Sequence, residues 1–503
     1  MNRGEWQDVF NWAWNDVWPN HLRQELDVGD WDRNNRDDRE YSPDEGGRAR
    51  VAEALALTAE LYEKHRAKGN SHEDAKHRTF EDIMRIANPP APPTPGIVTT
   101  PLSARGRSFY AADSQFDYRE IGAFTLYDQW LLYGPREMAY YPKQARDYGA
   151  TALRVMLHLG GSDYWRSRTR DGKPVVFPSL DDPTYIARLP EFCDWLAAHG
   201  LYTRVCIFGG IDGPRWPVPD RRDHWSGNAN AERRRWVTQR TSDVATSLLD
   251  TPTKLYEITN EFNQIGWGSH YDAIAALTRQ VKAIDAKALV TGSQENGPNA
   301  DAPSFVGAPN DYTDSHLDRR RGYGGFEWVK RSSETPVIDD NPAPFVSGEP
   351  INFGSAAPGR RDGDDNERSP AVALAYAATS RMKGYYTNFH AEAVLNCDNF
   401  DGPTAECARA WQLGLDLIPW DIHRGFRNGH WAESPFIATG TLPSSSDNEE
   451  TWRGIIRIFG RSDGLWVSVG HRRGFNPPVK SGRAVTALAQ LAHGDYECRV
   501  WKE

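Results

Sequence analysis

Tyr140–Leu157 reads YYPKQARDYGATALRVML, and Leu189–Phe208 reads LPEFCDWLAAHGLYTRVCIF. In each stretch apolar residues at helical spacing give way to a glycine, Gly149 or Gly200, and then to a β-rich run. Both therefore predict helix, stop and strand in the same order. The connection entering each strand is a few residues long, whereas those leaving are long: His158–Pro183 after the first strand and Gly209–Ala231 after the second. That asymmetry gathers the long loops at the carboxyl ends of parallel strands, as in a (β/α)8 barrel whose strand ends carry the active site.

The same alternation runs outward from these two units over residues 97–432. It predicts eight strands, at Ile121–Leu126, Ala152–Leu157, Tyr202–Phe208, Leu255–Thr259, Leu289–Gly292, Tyr312–His316, Phe345–Ser347 and Tyr385–Phe389. Upstream, residues 1–88 read as helices with apolar spacings such as Val51, Leu55, Leu61 and Tyr62, with Gly69 as a stop and Ser71 with Asp74 as a capping box. The run PPAPPTPG, Pro89–Gly96, forbids helix continuation and predicts a linker over 89–96. In residues 433–503 the helical period is lost, and GIIRIFG, GLWVSVGH, AVTALAQL and YECRVWKE predict a small antiparallel β-domain. The expected architecture is an α/β TIM barrel between an N-terminal α-helical module and a small C-terminal antiparallel β-domain.

Composition narrows the function. With 39% apolar and 25% charged residues in 503, and no apolar run near the roughly 18 residues of a membrane span, no membrane association is expected. The first residues, MNRGEWQDVFNWAWNDVW, lack a signal-peptide apolar core, which leaves the localisation unknown. A formal charge of −10 argues against a nucleic-acid partner. Five scattered cysteines without CxxC spacing suggest neither a zinc site nor a disulfide framework, with Cys397 and Cys407 the one candidate pair. No phosphate loop, GxSxG elbow, HExxH or strand-linked GxGxxG occurs, so no metal or organic cofactor is expected. Nineteen tryptophans exceed the needs of such a core, and several stand in predicted post-strand loops where an indole face suits a sugar ring. Trp165, Trp216 and Trp267 are the leading candidates, each with loop packing as the plainer alternative.

Two carboxylates stand where barrel chemistry is done. KLYEITNEFNQ, Lys254–Gln264, ends a β-rich run in Asn260-Glu261, and PFVSGEPINFG, Pro344–Gly354, ends another in Glu349. Cleaving a glycosidic bond requires a proton donor for the leaving oxygen and a second carboxylate that attacks the anomeric carbon or activates water. The dipeptide Asn-Glu recurs at Asn366 and Asn448, but there it lies within the acidic runs GDDNERS and SSDNEET. The plainer readings are a helix N-terminal carboxylate for Glu261 and a surface turn for Glu349.

Asn260-Glu261 ending the fourth strand, a histidine at the end of the sixth and Glu349 ending the seventh resemble the clan A glycoside hydrolases, in particular a divergent family 5 type. The resemblance covers about Gly106 to Trp431. It implies a retaining double displacement on β-linked glycans, with Glu261 as acid/base and Glu349 as nucleophile, and an endo-acting mannanase or glucanase specificity. It also implies that Asn260 holds the sugar 2-hydroxyl, that Arg154 hydrogen-bonds Glu349, and that His316 lines the cleavage subsite. Asp318 stands where such barrels often carry a tyrosine, so Tyr323 takes that place; Tyr386, Phe389 and His390 stand where a tryptophan is usual. From the residues alone, Arg154 reads equally as a barrel-interior ion pair and His316 as a core histidine. The rival classes are a non-catalytic carbohydrate-binding or structural barrel, with the N-terminal module bound to an anchoring partner, and a barrel enzyme that uses Glu261 as a proton-abstracting base.

Overall fold

The computed structural model describes residues 58–59, 62–69, 71–72, 74–76, 78–79, 97–157, 180–209, 231–260, 271–295, 311–316, 344–348, 370–382, 384–390, 400, 402–418, 426–427, 435–436, 456–461, 464–471, 479–493 and 496–503. The chain divides into two compact units, Met1–Pro95 and Gly96–Glu503. In the first, Gly69 adopts a φ of 84° where a helical stretch stops. The Asp74 backbone N–H donates to Ser71 Oγ at 3.2 Å, a local cap of the next turn. Because the proline run precedes an independent cluster of contacts, deleting Met1–Pro95 is expected to leave a soluble chain with one cooperative melting transition. Aggregation of Gly96–Glu503 on expression, or loss of that transition, would show that the first unit belongs to the barrel core.

The second unit opens with a three-stranded antiparallel sheet, β1 (Leu102–Arg105), β2 (Ser108–Ala111) and β3 (Ser114–Gln115). Then follow β4 (Arg119–Gly122), β5 (Ala152–Met156), β6 (Tyr202–Phe208), β7 (Lys254–Thr259), β8 (Val290–Thr291), β9 (Ser293–Glu295), β10 (Thr313–His316), β11 (Phe345–Gly348) and β12 (Tyr386–Phe389). These nine segments pair in parallel, in the order β8-β7-β6-β5-β4-β12-β11-β10-β9. The two edges are β8 and β9, halves of one stretch interrupted at Gly292, with Val290 opposite Tyr256 on one side and Ser293 opposite Asp314 on the other. The sheet therefore curls until its ends meet in a single chain segment, giving eight strand positions.

Helices fill the connections: α1 (Leu126–Tyr133), α2 (Tyr140–Asp147), α3 (Pro183–Ala187), α4 (Leu189–Ala198), α5 (Ala231–Ser247), α6 (Tyr271–Ile284), α7 (Pro370–Met382) and α8 (Gly402–Leu417). The expected first strand, Ile121–Leu126, is shorter in the structure. It ends at Gly122 and Leu126 already opens α1, because the buried run Ala123, Phe124, Leu126, Tyr127 and Trp130 packs as a turn and helix.

Inside the barrel the side chains fall into levels with the two-residue period of a strand. The lowest level takes one residue from each position: Tyr118, Ala152, Tyr202, Leu255, Leu289, Tyr312, Val346 and Tyr386. Leu102 and Phe109 from the β1–β2 hairpin complete this apolar floor. Outside the floor, Asp117 accepts from Arg119 Nε at 2.9 Å and pairs with Arg381, tying the start of β4 to α7. Burial alone would raise the Asp117 carboxyl, but Arg381 and Arg119 outweigh it and hold it below its ordinary value of 3.8. A carboxylate depressed in the folded state contributes stability above its unfolded pKa, and this is lost as pH falls through the folded value. Asp117→Asn should therefore melt below the wild type near neutral pH, and the gap should close as the pH is taken below about 4. A gap of constant size across an acid titration would refute the charge-based account.

After α8 the chain builds a five-stranded antiparallel sheet from β13 (Phe426–Arg427), β14 (Ile456–Arg461), β15 (Leu465–His471), β16 (Thr486–His493) and β17 (Tyr496–Lys502), in the order β13-β14-β15-β17-β16. β13 was not expected from the sequence; the other four lie where the apolar runs predicted them. Leu465, Val467, Val469, Cys498 and Val500 belong to the same apolar core as α7 and the outer faces of the barrel strands. Every residue from Ala371 to Met382 is buried, so α7 packs on all sides. Its alanines admit a close approach by α8, where a Cβ on Gly414 would lie 2.8 Å from Ala377 Cβ and 2.9 Å from the Leu374 carbonyl.

Candidate active site

Two residues above the floor the barrel interior turns polar. Glu120, Arg154, Arg204, Glu257, Thr291, Asp314 and Asn388 occupy this level, and all are fully buried. Arg154 forks onto Glu257, with Nε to Oε2 at 2.7 Å and Nη2 to Oε1 at 2.6 Å. Arg204 Nη2 lies 2.9 Å from Glu257 Oε2, Nη1 reaches Glu120 Oε1 at 3.1 Å, and Nη2 also pairs with Asp314. Tyr118 and Asn388 both donate to Glu120.

A charge taken out of water needs partners on every face, and removing one member of such a set typically costs about 3–5 kcal/mol. The network's effect on its members is visible in two of them. Burial opposes the Arg204 charge, yet Glu120 and Glu257 outweigh it and raise its pKa. Burial, reinforced by Glu120, pushes the Tyr118 hydroxyl well up.

The next level is the mouth. Arg154 reaches it, since Nη2 also donates to Asn260 Oδ1 at 2.7 Å. Asn260 directly follows β7; its backbone N–H bonds the Phe208 carbonyl at 3.1 Å, and its side chain is nearly covered. Phe124 lies close by, with the Arg154 guanidinium 5.1 Å from its ring centre and the His390 ring 5.4 Å away. Met156 and Cys206, two residues beyond Arg154 and Arg204 on their strands, pack with Phe124. This end of the barrel thus brings together a held amide, an imidazole and an apolar cluster.

The expected site residues fall as follows. Arg154 and Asn260 come together by a direct hydrogen bond. His316 is the last residue of β10, in register with Gly348 at the end of β11 and Glu295 at the end of β9, which sets it at the mouth level by backbone position. Glu261 is two residues beyond the end of β7 and Glu349 one beyond the end of β11; both lie outside the described residues, as do Tyr323, Trp165, Trp216 and Trp267. The expected Arg154–Glu349 hydrogen bond falls there too.

Tyr386 is not at the mouth. It is the first residue of β12, fully buried in the floor, where its hydroxyl accepts from the Phe109 N–H at 3.0 Å. Two residues per level put Asn388 in the middle and His390 at the top, so His390 is the eighth-position side chain that reaches the site. Apart from Arg154, whose reading as a barrel-interior ion pair holds, sequence reasoning passed over the middle level, although the signal was present. A charged residue stands among β-rich neighbours in Tyr118–Gly122 (YREIG), Ala152–Leu157 (ALRVML), Tyr202–Phe208 (YTRVCIF) and Lys254–Thr259 (KLYEIT). Among the described residues no group of three or more His, Cys, Asp or Glu is arranged to hold a metal ion.

No family model matches this chain, and no curated protein matches it in sequence. Solved structures do. A candidate glycoside hydrolase from Bacteroides vulgatus ATCC 8482 superposes with a TM-score of 0.50 at 10% identity, covering 80% of this chain and 82% of that one. The shared feature is the fold. A glycoside hydrolase family 5 structure from the same organism gives 0.49 at 13% identity over 80% of this chain and 93% of that one. A β-mannanase from the blue mussel Mytilus edulis gives 0.40 at 13% identity over 63% and 97%. At 10% identity the first of these matches speaks for the fold and not for a substrate.

Proposed function

We propose that this chain is a retaining glycoside hydrolase acting on β-linked glycans, with Glu261 as acid/base and Glu349 as nucleophile. One observation carries the reading: Asn260-Glu261 and Glu349 immediately follow the C-terminal ends of two parallel barrel strands, β7 and β11, on the face where enzymes of this architecture do their chemistry. The glutamates themselves are assigned from sequence.

In the first step the Glu349 carboxylate attacks the anomeric carbon while Glu261 protonates the departing glycosidic oxygen, leaving a glycosyl ester on Glu349. In the second, Glu261 takes a proton from water, and the water oxygen displaces Glu349 from the anomeric carbon, restoring both carboxyl groups to their starting states. Asn260 supports this course because Arg154 fixes its amide beside the end of β7. An amide in that position can donate to the sugar 2-hydroxyl, an interaction that strengthens in the oxocarbenium-like transition state. His316 ends β10 and His390 follows β12, so both stand at the C-terminal end of the barrel strands by backbone position.

The test is a hydrolysis screen over mannans, glucans, xylans and chitosans with product sizing. Short oligosaccharides released early from a mannan or glucan would support endo-action. Binding without any cleavage would favour the non-catalytic barrel. A crystallographic separation of about 5 to 5.5 Å between the two carboxylates would fit retention, and roughly 6.5 to 9.5 Å would fit inversion.

A further inference from the structure

Glu257 has no part in the displacement just described, yet it is held firmly at both carboxylate oxygens. Both its oxygens accept from the Arg154 fork, at 2.6 and 2.7 Å, and Arg204 Nη2 stands 2.9 Å from Oε2. All three side chains are fully buried. Arg154 Nη2 carries two hydrogens; one is directed to Glu257 Oε1 and the other to Asn260 Oδ1 at 2.7 Å.

A guanidinium has donors and no acceptor, so the atom of Asn260 that faces it is the carbonyl oxygen, and the Nδ2 donors are turned the other way. The direction of the Arg154 Nη2 bonds is in turn set by the two-point fork on Glu257, because a planar guanidinium held at two atoms cannot rotate about the third.

We propose that Glu257 is a positioning residue that acts through Arg154 to set the amide orientation of Asn260, with Arg204 holding Glu257 in register for that task. The inference rests on the reading of Asn260 as the donor to the sugar 2-hydroxyl. It goes further by placing the control of that contact one level down in the barrel, on a carboxylate that touches no substrate. A network serving charge balance alone would have no need to end on a neutral amide at the mouth, and this one does.

The experiment compares activated aryl glycosides with and without the 2-hydroxyl on wild type, Asn260→Ala, Glu257→Gln, their double variant, Arg204→Lys and Asp117→Asn. Glu257→Gln should lower kcat/KM on the 2-hydroxy substrate by about 10- to 100-fold, the scale of a small misplacement at a reacting centre. It should affect the 2-deoxy substrate far less, so that the ratio between the two falls toward that of Asn260→Ala. Adding Glu257→Gln to Asn260→Ala should then change the ratio little further. Asp117→Asn, which loosens the far end of the barrel, should lower the melting temperature and leave the ratio at its wild-type value.

Equal losses on both substrates would overturn the proposal. Should Glu257→Gln fail to fold, Arg204→Lys is read in the same way, since it keeps a positive charge beside Glu257 but cannot span Glu257, Glu120 and Asp314 at once; an unchanged ratio there would overturn it. Absence of hydrolysis by the wild type would count against the proposed activity. The positioning chain is then read from crystal structures: a reoriented Asn260 side chain in Glu257→Gln or Arg204→Lys supports it, and an unmoved one refutes it.

Discussion

Glu349→Ala is expected to abolish turnover on every glycan and to open a cavity that azide or formate can enter, restoring cleavage of activated aryl glycosides with an inverted anomeric product. Without the nucleophile no glycosyl ester forms, and a small anion in its place attacks once from the same side, so the configuration inverts a single time. Glu261→Ala should fail differently. An activated leaving group needs little protonation, so the first step survives while deglycosylation stalls for want of a base; the ester accumulates, and azide attack on it gives a product of retained configuration. On unactivated glycans each loss should be on the order of 10³-fold or more. Glu367→Ala and Glu449→Ala, in the acidic runs GDDNERS and SSDNEET, should be nearly silent. Near-wild-type hydrolysis by either catalytic variant would overturn the assignment. Identical stereochemistry of rescue in both would reject the division of roles even if both residues proved essential.

Much of the frame behind that expectation was legible in the sequence, for identifiable reasons. The third strand was placed at Tyr202–Phe208 by a helix, a glycine and a β-rich run, and β6 has those bounds. Gly200 stops the preceding helix with a φ of 77°, a conformation the glycine makes inexpensive. Strand ends were legible because polar residues and long loops follow them, which is also why Asn260 could be set beside the mouth before any geometry was known.

What could not be read was height within the barrel. Assigning Tyr386 to the substrate side required knowing which end of its strand faces the mouth and how far along it the side chain stands. Those depend on the stagger between β12, β4 and β11, which is a property of the paired sheet and not of any one strand. For the same reason Arg154 was left between two readings. A lone arginine in a strand does not reveal its partners; only when β5, β6 and β7 pair do Arg154, Arg204 and Glu257 arrive at one level.

Removing Pro435–Glu503 is expected to yield insoluble protein, a larger effect than any single substitution in the barrel would have on folding. The C-terminal sheet places Leu465, Val467, Val469 and Val500 in one core with α7, and Trp466 and Trp501 form a second small cluster with Phe436. Burial of an aliphatic side chain is worth about 1.5–3 kcal/mol. The four aliphatic residues alone thus contribute roughly 6–12 kcal/mol, which is comparable with the 5–15 kcal/mol that stabilises a typical domain. The loss is compounded on the barrel side. α7 is PAVALAYAATSRM, buried along its length from Ala371 to Met382; its one charged residue, Arg381, is already paired with Asp117, and the rest is mostly apolar or small. Stripping away β14 to β17 would expose one side of it as an apolar surface next to β12, which carries Asn388 and leads to His390 at the site. Refolding cannot repair this, because a helix that is almost wholly apolar or small needs cover on nearly every side. Expression of Met1–Ser434 with solubility and thermal melting measured beside the full chain decides the matter. A soluble truncated protein with an unchanged melting temperature would mean that the sheet is an appendage and that α7 is adequately covered by α8 and the barrel alone.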